Sequence, residues 1–186
     1  MSQPLLYTIG HSTHSIEAFS EMLQSFGIQR LVDIRRFPGS KKYPHFNKEN
    51  LERALEDINI SYAHLEDLGG RRKPHEQSKN TRWNNASFRG YADYMETLQF
   101  KNAAKRLGQM AMDQPIAIMC SEAVWWRCHR SLVSDYMRAS GWKIMHILSK
   151  NKSQEHPYTK PARIINGRVC YYDELDELNL FSSNSS

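Results

Sequence analysis

The chain has few cysteines and no long apolar run, and both absences exclude whole classes of protein. Its cysteines, at positions 120, 128 and 170, are odd in number and lack the spacing of a disulfide framework. Such usage is typical of a reducing compartment. No stretch of about 18 apolar residues occurs, so we expect no transmembrane helix and no membrane partner. The N-terminus also lacks the basic and apolar regions of a signal peptide, and these absences together predict a cytoplasmic protein.

Positive charge exceeds negative charge only modestly in this sequence. The 25 Lys and Arg residues outnumber the 20 Asp and Glu residues, which gives a formal net charge of +5. This surplus permits binding to nucleic acid or to a phosphorylated small molecule, but it is equally typical of an ordinary soluble protein. With 186 residues, the chain is long enough for one domain and short for two.

Strand-like and helix-like segments alternate along most of the chain. Apolar runs predict five strands, at residues 5–9, 31–34, 60–65, 116–119 and 142–148. Apolar residues at helical spacing predict helices between them, at residues 16–26, 48–58, 91–98, 103–112 and 128–139. Repeated strand–helix–strand units predict an α/β fold, with a mostly parallel central sheet of about five strands flanked by helices.

The pattern changes beyond Lys150. Two short β-like runs flank Asn166-Gly167, which predicts a C-terminal β-hairpin with a type I′ turn. The acidic residues 173–180 predict a last short helix. We therefore divide the chain into a single α/β domain over residues 1–150 and a C-terminal extension over residues 151–186 that packs on it.

The polar segment 71–87 follows the third predicted strand and contains almost no aliphatic residue. Segments of this length within compact domains are typically lids or binding loops. Gly69-Gly70 would provide a hinge for a lid. The cations of residues 71–82, followed by Trp83, would instead suit a nucleic-acid-binding surface on which a base stacks.

Polar side chains recur where the predicted strands end. Because the carboxyl ends of parallel strands lie at one edge, where ligands bind in open α/β folds, these residues predict a single site. They are His11, Ser12, Asp33, Arg35, His64, Glu66, Cys120, Glu122 and His146. In particular, we expect His11, Asp33, Arg35, Glu122 and Arg130 to share one pocket.

Asp33 and Arg35 have two interpretations. They lie on the same face of a strand, so Arg35 could hold a carboxylate or phosphate of a substrate while Asp33 orients it or acts as a base. The alternative is a structural salt bridge. His11 and Ser12 follow Gly10 and precede a helix start that attracts anions, although Gly10 could simply serve a tight turn.

Glu122 is the leading candidate for a catalytic acid–base or nucleophile. It follows a buried strand and precedes Trp125-Trp126, an aromatic wall that would raise its pKa. Its alternative role is an ion pair with Arg130 that holds the start of the next helix. Cys120 is either a second nucleophile, activated by a helix N-terminus and nearby Arg residues, or a packed small apolar residue.

Cys128, His129 and Arg130 open the helix that follows, and together with Ser12, Arg35 and Arg71 they form the predicted substrate-binding set. The spacing of the cysteines and His129 matches no usual pattern of zinc ligands, so we predict no metal and no cofactor. A thiol redox function would require Cys120 and Cys128 to lie close together, and no CxxC motif supports it.

Short motifs recur in order over about residues 5–148. They are YTIGHS (7–12), LVDIR (31–35) with Pro38 and Ser40, LGG (68–70), Tyr91 with Tyr94-Met95, CSE (120–122), CHR (128–130) and HI (146–147). With these motifs the chain resembles the bacterial and archaeal family known as domain of unknown function 488. The resemblance implies a compact α/β domain with a site at these motifs, and it implies no particular reaction.

Two functions follow from these residues. The first is an enzyme that acts on a phosphorylated or nucleotide-like substrate, free or within nucleic acid, by metal-independent acid–base or nucleophilic chemistry. It would be a hydrolase or transferase at a glycosidic or phosphoester bond. The alternative is a non-catalytic nucleic-acid-binding module that uses the basic loop at residues 71–82.

Overall fold

The computed structural model of the chain describes residues 3–173. The strands are β1 (Leu5–Gly10), β2 (Arg30–Asp33), β3 (Ser61–His64), β4 (Ile116–Cys120), β5 (Lys143–Ser149), β6 (Lys152–Glu155), β7 (Arg163–Ile165) and β8 (Arg168–Cys170). The helices are α1 (Ile16–Ser25), α2 (Lys48–Glu56), α3 (Ala86–Met95), α4 (Leu98–Asp113) and α5 (Arg130–Ala139). The predicted α/β class is confirmed.

Six strands form the central sheet in the order β3-β2-β4-β1-β5-β6. The first five in this order are parallel, and β6 pairs antiparallel with β5. The register places Gly10 opposite Cys120, and Asp33 opposite both Met119 and His64. The carboxyl ends of β1, β2, β3 and β4 therefore meet at one edge.

Each face of the sheet has its own apolar core. Residues alternate along β4, so that Ile116 and Ile118 pack toward α3, α4 and α5, whereas Ala117 and Met119 pack toward α1 and α2. All five β4 residues are buried, as expected for a central parallel strand covered on both faces. Cys120 belongs to the first set, so its thiol lies on the side of the sheet that α5 covers.

Helix starts follow local capping chemistry. The Ser15 hydroxyl accepts a hydrogen bond from the N–H of Ala18, as its position before α1 predicts. Asn85 caps α3 in the same way, through bonds from the N–H groups of Ser87 and Phe88. The predicted start of this helix at residue 91 is therefore wrong, because the cap begins it at residue 86.

The C-terminal part adds one strand that the sequence did not predict. β6 is polar and mostly exposed, because an edge strand pairs on one side only and needs no apolar alternation. The predicted hairpin is confirmed as β7 and β8, with Asn166 and Gly167 at positive φ (50° and 74°), as a type I′ turn requires. The helix predicted over residues 173–180 lies outside the described residues, apart from its first position.

Among residues 3–173, no helix has both the length and the apolar character needed to cross a bilayer.

Candidate active site

Backbone hydrogen bonds join the residues that follow β1 to those at the end of β4. The N–H of His11 donates to the carbonyl of Cys120 at 3.0 Å, and that of Ser12 donates to Ser121 at 2.9 Å. Ser12 adopts a left-handed conformation (φ 46°), which is unusual for a residue with a Cβ. The strand edge thus brings the His11, Asp33 and Cys120 segments together, as the sequence predicts.

Asp33 and Arg35 form a buried ion pair. Arg35 Nη2 donates to Asp33 Oδ2 at 2.6 Å, and Arg35 Nε lies 3.0 Å from both carboxylate oxygens. The Tyr62 hydroxyl donates to the same Oδ2 at 2.8 Å, and Arg35 Nη2 also donates to the carbonyl of Phe46. This geometry is that of a structural salt bridge, and it leaves only Arg35 Nη1 directed at His11.

His11 is a neutral, buried imidazole beside this pair. Its Nδ1 donates to the Ser12 carbonyl at 3.1 Å, so Nε2 is the atom that accepts from Arg35 Nη1 at 3.4 Å. The ring stacks on Phe46 with a centroid distance of 4.3 Å. Burial and, to a smaller extent, the charge of Arg35 lower the pKa of His11 to about 4.

Cys120 and Cys128 lie in contact where β4 leads toward α5. Their Sγ atoms are 2.7 Å apart, and both side chains are buried. The chain between them returns through a short 3₁₀ helix, Trp125–Arg127. The N–H of Arg130, at the first position of α5, approaches Cys128 Sγ at 3.5 Å. The proximity that a thiol redox function requires is therefore present without a CxxC motif.

His129 faces Cys128 in a defined tautomer. Its Nε2 donates to the carbonyl of Ile34 at 3.1 Å, so the lone pair of Nδ1 is directed at Cys128 Sγ, 3.4 Å away. Burial lowers the pKa of His129, which favours the neutral ring. A thiol, an imidazole with an available lone pair and a carbonyl that orients the ring make up the nucleophile–base arrangement of covalent catalysis.

The two thiols differ in acidity. Burial raises the pKa of Cys120 well above its usual value. Burial acts in the same direction on Cys128, but the hydrogen bond with Cys120 and the charge and N–H of Arg130 outweigh it, so the pKa of Cys128 is lowered. Cys128 is therefore the more acidic thiol of this pair, and the predicted nucleophile, Cys120, is the less acidic one.

Arg130 is a buried cation held by main-chain carbonyls. Its side chain is 1% exposed, and Nη2 donates to the carbonyls of Glu122 and Ala123 at 3.0 and 3.2 Å. Within residues 3–173, no carboxylate pairs with this guanidinium, and its Nε has no hydrogen-bond partner. The Glu122 carboxylate is exposed, so Arg130 binds the main chain of Glu122 and does not form the ion pair considered for it.

The two tryptophans do not form a common wall beside Glu122. Trp125 is buried and stacks on His146, with ring centroids 4.4 Å apart and an interplanar angle of 8°. Trp126 is 55% exposed. His146 itself lies within β5, opposite Thr8, because β5 continues beyond it to Ser149. The strand-end position expected for His146 is therefore wrong.

A series of buried side-chain hydrogen bonds, which the sequence does not predict, lies next to this site. His146 bonds to Thr8 through Nδ1 at 2.6 Å and to His156 through Nε2 at 2.8 Å, and His156 bonds to Asp135 of α5 at 2.9 Å. Asp135 also accepts hydrogen bonds from Thr159 and Tyr171. These bonds attach the C-terminal part of the chain to α5. The sequence signal was weak, because the partners lie 10 to 138 positions apart.

The polar segment 71–87 is anchored at several points. Asp93 of α3 accepts hydrogen bonds at 2.6 to 2.9 Å from the His75 N–H, the Ser78 hydroxyl and the Asn80 amide. Gly69 and Gly70 are packed rather than hinge-like. A Cβ at Gly69 would lie 2.8 Å from Arg36 Cα, and one at Gly70 would lie 2.8 Å from His129 Nδ1. These contacts hold the segment against α3 and place both glycines in close packing.

The cations and the tryptophan of this segment mostly contact the protein itself. Arg82 forms an ion pair with Asp173 at 2.7 Å, and Trp83 packs against Phe88 and Tyr171. Arg71 is exposed, and its carbonyl accepts a hydrogen bond from Arg36 Nη1. A cavity of about 620 Å³ lies here, and none of the predicted site residues lines it. Among residues 3–173, no three His, Cys, Asp or Glu side chains are arranged to hold a metal ion.

Together, the fold and this edge define an α/β protein with a thiol–imidazole–guanidinium cluster at the carboxyl ends of its parallel strands. The model of the family described as Domain of unknown function DUF488 matches residues 15–137, and the chain belongs to this family. The matched range contains Asp33, Arg35 and the segment from Cys120 to Arg130, whereas His11 and Ser12 precede it. Comparison with curated proteins and with solved structures gives no significant match.

Proposed function

We propose that the protein is an enzyme that acts on a phosphorylated or nucleotide-like substrate by metal-independent nucleophilic chemistry, with Cys128 as the nucleophile and His129 as its base. The observation that carries this proposal is the 3.4 Å approach of Cys128 Sγ to His129 Nδ1, in a ring whose other nitrogen is bonded to Ile34. A nucleophile, a base and a group that orients the base are the minimum set for covalent catalysis.

The electrostatics of the edge support an anionic substrate. Arg130 is a buried guanidinium without a carboxylate partner in the described part of the chain, and a buried cation in this state is costly unless an anion compensates it. A thiolate formed at Cys128 would supply part of that compensation, and a substrate phosphate would supply more. The Arg35 charge, by contrast, is largely committed to Asp33.

The remaining predicted residues take supporting roles in this proposal. Cys128 attacks a phosphorus or sugar carbon and forms a covalent intermediate, while the bond to the leaving oxygen or nucleobase nitrogen breaks. Water then attacks the intermediate, and its bond to sulfur breaks to regenerate Cys128. Glu122 is exposed at the same edge, and its charge acts on Cys128, so it is the candidate that protonates the leaving group or activates water. Asp33 holds Arg35 against His11, so the Asp33–Arg35 ion pair serves to position His11.

The test is an activity screen with the purified full-length protein. The probes are p-nitrophenyl phosphate, bis(p-nitrophenyl) phosphate and the nucleoside 5′-monophosphates, with release of nitrophenol, phosphate and nucleobase measured separately. For the substrate that is turned over, we expect Cys128→Ser to lower kcat by about 10³-fold or more. We expect Glu122→Gln to lower it by about 10²-fold. Cys170→Ser, on β8 and outside the site, is the matched control and should retain full activity.

Circular dichroism and melting curves establish that each variant is folded. A folded Cys128→Ser protein with unchanged kcat would refute the assignment of the nucleophile. If no probe is turned over and the protein instead binds a single-stranded oligonucleotide with affinity that falls steeply with salt, the binding module formed by residues 71–82 would replace the enzyme.

A further inference from the structure

The contact between Cys120 and Cys128 has a consequence beyond the acidity of one thiol. The two sulfurs are 2.7 Å apart and are not bonded. In a disulfide the sulfurs are separated by about 2.05 Å, so an approach of about 0.7 Å would bring them to bonding distance. Residues 121–127 connect the two cysteines, and the first four of them contain no helix or strand and are largely exposed, so this part of the connection can absorb such a shift.

We propose that Cys120 and Cys128 form a reversible disulfide, in which a hydroperoxide oxidises Cys128 and Cys120 then resolves the product. The proposal deepens the proposed function, and it rests on that function only where it concerns regulation, because the disulfide would occupy the nucleophile. Oxidation would therefore switch the enzyme off, and a dithiol reductant would restore it.

The chemistry balances with hydrogen peroxide as the oxidant. The Cys128 thiolate attacks one peroxide oxygen, an S–O bond forms, the O–O bond breaks, and the departing hydroxide takes up a proton to leave as water. Cys120 then loses its proton and attacks the sulfenic sulfur, an S–S bond forms, and the S–O bond breaks to release a second water. Two thiols lose two electrons in total, and one peroxide is reduced to two waters.

The surroundings assign the two cysteines to different steps. Cys128 has the Arg130 N–H at 3.5 Å, a donor that favours a thiolate, and His129 Nδ1 at 3.4 Å, a lone pair that can accept the thiol proton. Cys120 has the carbonyl of Glu122 near its sulfur, at 3.8 Å, an acceptor that favours the protonated thiol. Cys128 is thus the peroxide-reactive thiol, and Cys120 is the resolving thiol.

The sequence itself supplies a direct assay. Arg127 lies between the two cysteines, and trypsin cleavage at Arg106, Arg127 and Arg130 places Cys120 in peptide 107–127 and Cys128 in peptide 128–130. The full-length protein is treated with hydrogen peroxide, its remaining thiols are alkylated, and the digest is analysed by mass spectrometry. We expect the two peptides to be joined, and dithiothreitol to separate them.

Variants distinguish the two steps. In Cys120→Ser, the sulfenic acid on Cys128 should persist and be trapped by dimedone, whereas Cys128→Ser should lower the rate of peroxide oxidation at Cys120 by about tenfold or more. Cys170→Ser is the matched control, and its 107–127/128–130 link should form as in the wild type.

Peptides that remain separately alkylated after peroxide treatment, or links that join Cys170 instead, would overturn the proposal. Peptide mapping needs no substrate, so its result is independent of the enzyme assay. If the disulfide forms but no probe is turned over, the redox pair is supported and the proposed enzymatic function is refuted. If the protein turns over a probe and peroxide treatment does not lower that turnover, the regulatory role of the disulfide is refuted and the enzymatic function stands.

Discussion

The neutral His11 predicts a specific loss of stability in mild acid. Folding lowers the pKa of His11 from 6.5 to about 4, chiefly through burial and secondarily through the charge of Arg35. Between these two values the unfolded chain binds a proton that the folded protein excludes. The free energy of unfolding should therefore be fully retained above pH 6.5 and fall progressively as the pH drops toward 4.

The size of this effect follows from linkage. One pKa unit corresponds to about 1.4 kcal/mol, and integration between about pH 7.5 and about pH 5 assigns about 2 kcal/mol to His11. The side chain is 3% exposed, so solvent screening reduces this value little. His146, whose pKa burial lowers to about 2, adds a second loss in the same direction. The wild-type decrease should therefore exceed the His11 share.

The assay compares urea unfolding, followed by tryptophan fluorescence, at the two pH values. In His11→Gln, the decrease in unfolding free energy from about pH 7.5 to about pH 5 should be smaller than in the wild type by about 2 kcal/mol. His75→Gln, at an exposed position, is the matched control and should show the wild-type decrease. Equal decreases in His11→Gln and wild type, within about 0.5 kcal/mol, would refute the neutral buried imidazole.

Two further changes test how the edge is held together. Asp135→Asn removes the charge that accepts hydrogen bonds from His156, Thr159 and Tyr171, so urea unfolding should show a loss of about 3 kcal/mol. The exposed Asp113→Asn serves as its control, and a loss below about 0.5 kcal/mol would contradict the buried network. Gly10→Ala places a Cβ 1.9 Å from the Glu122 carbonyl oxygen and should lower stability by about 3 kcal/mol. In Gly39→Ala the new Cβ meets only a side-chain oxygen at 4.0 Å, so this control should change stability little. If both variants were equally stable, the segments of Gly10 and Glu122 would not be in close contact.

Much of the fold could be predicted because local patterns and the core favour the same elements. Apolar runs located the five parallel strands, and Asn166-Gly167 located the hairpin turn. β6 was missed because its residues, Lys152–Glu155, are polar, and its strand structure depends on pairing with β5. The apolar pattern places the start of α3 too late, because this helix begins at the polar capping residue Asn85 and not at its first strongly apolar position.

The candidate site was predictable in position but not in its internal contacts. The motifs indicated which residues would lie at the strand edge, and the register of β1, β2 and β4 brings their segments together there. Spacing could not reveal that Cys128 returns to Cys120, because that contact depends on the Trp125–Arg127 turn and on the carbonyls bound by Arg130. Nor could it reveal that Glu122 faces solvent while Trp125 packs on His146.

The sequence by itself determined the order of strands and helices and the edge at which the polar residues lie, because hydrophobic periodicity and chain direction are local properties. Only the tertiary structure decided the chemistry of that edge. The acidity of a thiol, the tautomer of a histidine and the compensation of a buried charge all depend on which groups lie beside them in the folded protein. The Ile34 carbonyl sets the tautomer of His129, and the hydrogen bond with Cys120 together with the charge of Arg130 makes Cys128 the more acidic thiol.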